Sequence, residues 1–216
     1  MIGISHAIID IGSNTVRLVV YNGPPRAPVV ILNEKVNARL GKDLGRTGAI
    51  SDKSMRTALP ALARFAELLK LLEVETVECV ATAAARDASN GPRFLDAVRG
   101  FGLSPRLLSG EEEARASAMG VIAAFPGAHG VVADLGGGSL ELAMIDRGQV
   151  LERFSFPLGV LRVADLRARG GDILKRKLRK MLKKTGWEKQ AQQLPFYLVG
   201  GSWRSLARLD MFDSHY

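Results

Sequence analysis

The sequence predicts an α/β protein made of two related lobes. Three observations carry the prediction. First, a strand–glycine turn–strand unit occurs twice, over Ala7–Tyr21 and over Val131–Ile145. Laid over one another, Asp10 falls on Asp134, Gly12 on Gly136, Thr15 on Ser139 and Leu18 on Leu142, while Arg17 falls on Glu141. Internal repeats of this kind decide architecture before local detail does. Second, each unit is followed by the same alternation of short apolar runs with longer amphipathic stretches. Third, a chain of 216 residues with 47% hydrophobic content fills one large domain or two small ones. The expected division is residues 1–126 for the first lobe and 127–216 for the second.

The elements follow in order. Residues 7–10 and 15–21 form the first hairpin, and Gly23-Pro24-Pro25-Arg26-Ala27-Pro28 turns the chain. Val29–Leu32 restarts a strand, and Asn33–Leu40 either continues it or pairs with it. Gly41–Gly48 is a loop; it is not a Walker A motif, because Asp43 follows Lys42 and Val36 stands where the first glycine belongs. Ser51 caps a helix over about 52–72 that places Leu59, Leu62, Phe65, Ala66 and Leu69 near one face, and Pro60 should kink or split it. Thr76–Ala81 is an apolar strand holding Cys79, which reads as a packed core residue. Residues 82–91 read as a polar loop, Asn90 as the cap of a helix over about 92–101, and Arg106–Leu108 as a strand. Ser109 and Glu112 match a capping box for a helix to about Phe125. Residues 126–130 break the chain before the second hairpin. Val150–Phe156 is then a strand, Val160–Arg169 a short helix, Ile173–Thr185 a basic helix, Pro195–Val199 a strand, and a helix begins near Trp203. The first half counts one strand and one helix more than the second, so the second lobe reads as truncated.

The chemistry concentrates at the glycine turns. Successive amides in such a turn can form an anion-binding concavity. Asp10 and Asp134 close the first strand of each hairpin and Glu141 opens a second strand. A phosphate with a hard cation would use all of this; a glycine-rich hairpin with incidental acids would use none. Arg86 is either a bidentate phosphate clamp or a surface loop arginine. The capping box and the helix dipole account for Glu111 and Glu112. They account less well for Glu113, which could act as a general base toward water. Gly200-Gly201-Ser202, between a strand and a helix, again offers amides to a phosphate or nucleotide.

Composition excludes several classes. A single cysteine, Cys79, rules out an internal disulfide and fits a reducing compartment. The N-terminus has no secretory pattern and no apolar run approaches membrane length, which points to the cytoplasm. Most of the net charge of +8 lies between Asp172 and Lys189. There Lys175, Arg176, Arg179, Lys180 and Lys183 are either a solvated helix face or a polyanion contact. The sequence has no G-x-S-x-G elbow, no G-x-G-x-x-G, no Cys/His cluster and no aromatic-studded basic patch. His6, His129 and His215 are isolated and receive no role.

Five segments occur in order: Asp10–Thr15, Ala81–Gly91, Ser109–Ala114, Asp134–Glu141 and Gly200–Leu209. Together they resemble the exopolyphosphatase / guanosine pentaphosphatase family, of the superfamily of actin, sugar kinases and heat-shock chaperones. The resemblance implies two ribonuclease-H-like lobes around a cleft. It implies Mg²⁺- (or Mn²⁺-) assisted hydrolysis of a terminal phosphoanhydride of polyphosphate or guanosine pentaphosphate. It makes Glu113 the catalytic base and Asp134 and Glu141, with Asp10, the metal-associated acids. It makes Arg86, Ser13, Asn14, Thr15, Gly136, Gly137, Gly138 and Ser139 the phosphate-binding set, with Gly200, Gly201 and Ser202 on a nucleotide or phosphate side. No membrane and no specific nucleic acid are expected as partners, and a homodimer is left open. Trp203 departs from the family's small residue after Gly-Gly-Ser/Thr. Two alternatives stand beside hydrolysis: a kinase or ATPase of the same superfamily, and a non-catalytic polyphosphate- or alarmone-binding fragment.

Overall fold

A computed structural model of the chain describes residues 6–24, 27–168, 170–187 and 189–214. Pro25 and Arg26 of the first turn, Arg169 at the end of the predicted short helix, and His215 lie outside the described residues, as do Met1–Ser5. The chain divides into two units, Met1–Leu108 and Ser109–Tyr216.

In the first unit, β1 (His6–Ile11), β2 (Val16–Asn22) and β3 (Val29–Val36) form an antiparallel meander. β4 (Thr76–Ala81) and β5 (Pro105–Leu107) extend it in parallel, giving the order β3-β2-β1-β4-β5. Alternation in the first hairpin buries Ile9, Ile11, Leu18 and Val20. α1 (Leu44–Thr47) is one turn within the predicted loop, and α2 (Asp52–Leu71) lays Ala58, Leu62 and Phe65 into this core. The Ser51 hydroxyl accepts the Ser54 amide and caps α2 as expected. α2 runs through Pro60 as one 20-residue element, so the proline does not split it. The helical register leaves Pro60 exposed, so the carbonyl it deprives of a donor lies on the solvent side.

The predicted polar loop 82–91 contains a short helix, α3 (Ala83–Asp87), whose three alanines are buried. α4 (Gly91–Arg99) adds Phe94 and Val98 to the core. Asn90 does not cap α4 with its side chain. Instead its amide accepts from Ile50 N at 2.9 Å and donates to Ile50 O at 2.9 Å, pinning the start of α2 to the start of α4. Gly91 is required here for close approach, because a Cβ would overlap the Ala85 carbonyl.

The second unit repeats the plan. β6 (Gly130–Leu135), β7 (Leu140–Asp146), β8 (Gln149–Phe156) and β9 (Phe196–Val199) stand in the order β8-β7-β6-β9. That matches β3-β2-β1-β4, again with two antiparallel pairings and one parallel. Even the register shift recurs at equivalent sites, between Val20 and Tyr21 and between Met144 and Ile145. One face of this sheet, with Val132, Ala143 and Ile145, is covered by Ala118 and Val121 of α5 (Gly110–Ala124). The boundary expected after Pro126 thus falls after Leu108. α5 packs its small residues on the second sheet, and its sequence marks where it starts but not which sheet it covers. The other face, with Val131, Ala133, Leu142 and Met144, is covered by Trp187, α6 (Val160–Ala168) and α7 (Gly171–Lys183). α8 (Gly201–Asp213) follows β9. Among the described residues, no helix is long and apolar enough to cross a membrane.

Candidate phosphate and metal site

The two glycine turns have one construction. Gly12 N donates to Thr15 O at 2.9 Å, and Gly136 N donates to Ser139 O at 3.0 Å. In the first unit the carbonyls of Ser13 and Asn14 accept from Gly41 N (2.8 Å) and Arg39 N (2.9 Å). In the second unit the carbonyls of Gly136 and Gly137 accept from Val160 N and Leu161 N, both at 3.0 Å, at the start of α6. A trans peptide places its N–H opposite its C=O. The amides of Asn14 and Thr15 therefore point away from the 39–41 loop, and those of Gly137 and Gly138 point away from α6. Among the described residues, neither Gly137 N nor Gly138 N donates to a backbone carbonyl. Each turn thus presents two successive amides on one side, the geometry of an anion-binding concavity.

None of Gly136, Gly137 and Gly138 has positive φ. The close approach falls at Gly159, in the turn before α6: a Cβ there would overlap the backbone of Gly137 and Gly138. Gly159→Ala should therefore push α6 off the turn and cost about 1–3 kcal/mol, a typical overpacking penalty. Urea titration measures it, and an unchanged midpoint would refute the crowding.

The acids gather in the second unit. Asp134, Glu141 and Ser155 pair across β6, β7 and β8 in one row, so their side chains share a sheet face. That face is the one α5 covers. α5 starts with the predicted capping box: Glu112 N donates to Ser109 Oγ (3.2 Å) and Ser109 N donates to Glu112 Oε2 (2.8 Å). Glu112 is thereby occupied at the cap. Half-buried Glu113, one step on, acts electrostatically on Glu141. Glu141 is 4% exposed, and burial pushes its carboxyl up to about 7. Hydroxyl hydrogen bonds from Ser139 and Ser155 oppose the rise, and the charges of Glu113 and Asp134 add to it. Asp134 accepts the Ser117 hydroxyl on Oδ2, and its Oδ1 lies 3.0 Å from where a Gly200 Cβ would stand. Gly200, at φ +107°, leads into α8, so the third glycine turn adjoins Asp134. Gly201 is exposed and Ser202 half-buried on the first turn of that helix.

Two site residues were missed from sequence, Ser117 and Ser155. The first carries a faint signal, lying one helical turn after Glu113 on the same face. The second was visible only through strand register.

In the first unit the equivalent row holds Asp10, Arg17 and Lys35, so a single acid stands there. The Arg86 guanidinium donates to Leu108 O at 2.8 Å and stands 3.5 Å from Asp87, anchoring α3. α3 itself begins at the turn: Thr82 N and Oγ1 both donate to Ile11 O, at 3.2 and 3.4 Å. Cys79 is a core thiol as expected, pushed up to about 12 by burial and then by Asp10. Lys175, Arg176, Arg179, Lys180 and Lys183 are exposed on α7, on the opposite sheet face from the acid row. Trp203 buries its indole N–H without a partner among the described residues.

Among the described residues, no three His, Cys, Asp or Glu side chains converge into a metal cage. Mg²⁺ does not require one: it binds through one or two carboxylates, water and substrate phosphates. The hard oxygen donors of Asp134 and Glu141, with like charges crowded at Glu141, suit such an ion.

The model of the Ppx/GppA phosphatase family matches residues 19–216. The chain is 31% identical over 171 residues to exopolyphosphatase 2 of Mycobacterium tuberculosis, covering 74% of this chain and 53% of that protein. It therefore spans about half the length of the curated relatives it matches. A crystal structure of an Aquifex aeolicus Ppx/GppA family member superposes with TM-score 0.77 at 28% identity, covering 99% of this chain and 71% of that one. The structure of an exopolyphosphatase from Cytophaga hutchinsonii superposes with TM-score 0.87 at 24% identity, covering 98% and 71%. The predicted α/β class with two actin-like lobes is the observed fold.

Proposed function

This chain belongs to the Ppx/GppA phosphatase family, and we propose that it hydrolyses the terminal phosphoanhydride of inorganic polyphosphate, with guanosine pentaphosphate as the second substrate. The observation that carries this is the row Asp134–Glu141–Ser155 beneath α5, which brings Glu113 and two further acids beside a turn presenting paired amides. Phosphoryl transfer needs positioning and charge neutralisation more than covalent chemistry.

The amides of Gly137 and Gly138 hold the terminal phosphoryl oxygens. Glu113 accepts the proton of the attacking water as it adds in line. No covalent enzyme intermediate forms. Asp134 and Glu141 would hold Mg²⁺, which when bound offsets the negative charge of the phosphate oxygens. The basic face of α7 lies behind the sheet and bears on affinity for a long polyanion, not on the chemistry.

Purified chain incubated with long polyphosphate, guanosine pentaphosphate and ATP should release orthophosphate from the first two, and EDTA should stop it. ATP turnover alone would favour the superfamily kinases and ATPases. Tight polyphosphate binding without release would make the chain a binding module.

A further inference from the structure

We propose that Ser155 is a positioning residue that seats the first turn of α5 and the Glu141 carboxylate against each other. The proposal rests on the hydrolytic reading above. Ser155 Oγ donates to Glu141 Oε1 at 2.8 Å, from the register position directly opposite on β8. The other side of Ser155 meets Gly110, and the approach is so close that a Cβ at Gly110 would overlap both Cβ and Oγ of the serine. Gly110 is the first residue of α5, three before Glu113. One small side chain therefore sets where the helix bearing the base begins and where the buried acid points.

The arrangement has a counterpart two turns along. Ser117 of α5 donates to Asp134, so α5 is tied to both strand acids through hydroxyls, once from its own side chain and once through Ser155. A glutamate has three rotatable bonds to its carboxylate, and a fixed donor removes that freedom before any ligand arrives. The first unit holds Lys35 in the equivalent register, so this device is specific to the acid-bearing unit. It also explains Gly110, which neither the capping box nor the helix propensity requires.

The test is a double-mutant cycle of Ser155→Ala and Glu141→Gln, read in two ways: kcat and KM for phosphate release from polyphosphate, and the Mn²⁺ dissociation constant from EPR of the free chain. Loss of a residue that orients a metal ligand typically costs about 10–100-fold in metal affinity or activity. Ser155→Ala should lower kcat and weaken Mn²⁺ binding by that order with KM unchanged, and should add nothing further in the Glu141→Gln background. Additive losses, or a folded Ser155→Ala chain with parental kcat and Mn²⁺ affinity, overturn the proposal. If Ser155→Ala does not fold, Ser155→Cys keeps the volume with a weaker donor and carries the same expectation. A parent chain that binds Mn²⁺ but releases no phosphate overturns the hydrolytic reading alone, and the EPR cycle still decides Ser155. A parent that does neither overturns both.

Discussion

A Glu113→Gln chain should release phosphate about 10²–10⁴ times more slowly than the parent, the usual range for a lost general base. KM should stay unchanged, because glutamine keeps the shape and the interaction lost is made only in the transition state. Neighbouring glutamates make the controls. Glu112→Gln preserves the capping box, since glutamine serves that role as well as glutamate, and kcat should hold. Glu111 is exposed, and Glu111→Gln should be silent. A second readout separates a base from a ligand. The charge of Glu113 acts on Glu141 through space, and a divalent cation feels it as a proton does, so removing it should weaken Mn²⁺ binding only modestly, well short of the fall in kcat. If Mn²⁺ binding falls as far as kcat, Glu113 is a ligand and the base lies elsewhere. Full turnover in Glu113→Gln ends the assignment.

Much of this was legible in the sequence, and the exceptions have physical causes. The two hairpins could be aligned residue by residue because a glycine turn tolerates few alternatives. The alignment pointed to two related lobes, and the structure adds the repeated strand order and the matching hydrogen bonds at Gly12 and Gly136. The Ser109 capping box is a local device and was found locally. The side that α5 covers was not legible, because Ala114 and Ala118 give a weak stripe that could face either sheet. Nor was the support of the acids. Ser155 touches Glu141 through strand register, and Gly159 crowds the turn from a later helix. The alanines of α3 looked like loop because a five-residue helix shows no period. The basic helix was visible as charge, but its position behind the acid-bearing sheet depends on which faces of β6 and β7 its apolar stripe meets.

Glu141 makes the second large expectation, in pH and metal linkage. An ordinary glutamate titrates near 4.5, and burial pushes this one up to about 7 in the folded chain. Between those values the folded form holds a proton that the unfolded form has released. The stability this contributes is fully present below 4.5 and is lost as pH rises through 7. At 1.36 kcal/mol per pH unit the loss is on the order of 3 kcal/mol, worth roughly 10 °C in Tm for a unit of this size. Thermal melts of the metal-free chain from pH 5 to 8 should show this fall, and Glu141→Gln, which stays neutral, should flatten it. Parallel Tm–pH profiles for the two chains would remove Glu141 as the cause. In the proposed function Mg²⁺ would bind the ionised carboxylate and so compete with the proton. Its stabilisation should be small near pH 5.5 and large near pH 8, following the ligand-linkage relation. The same competition bears on catalysis: an acid limb set by Glu141 must move to lower pH as Mg²⁺ is raised, and a limb that stays where it is would remove Glu141 as its cause.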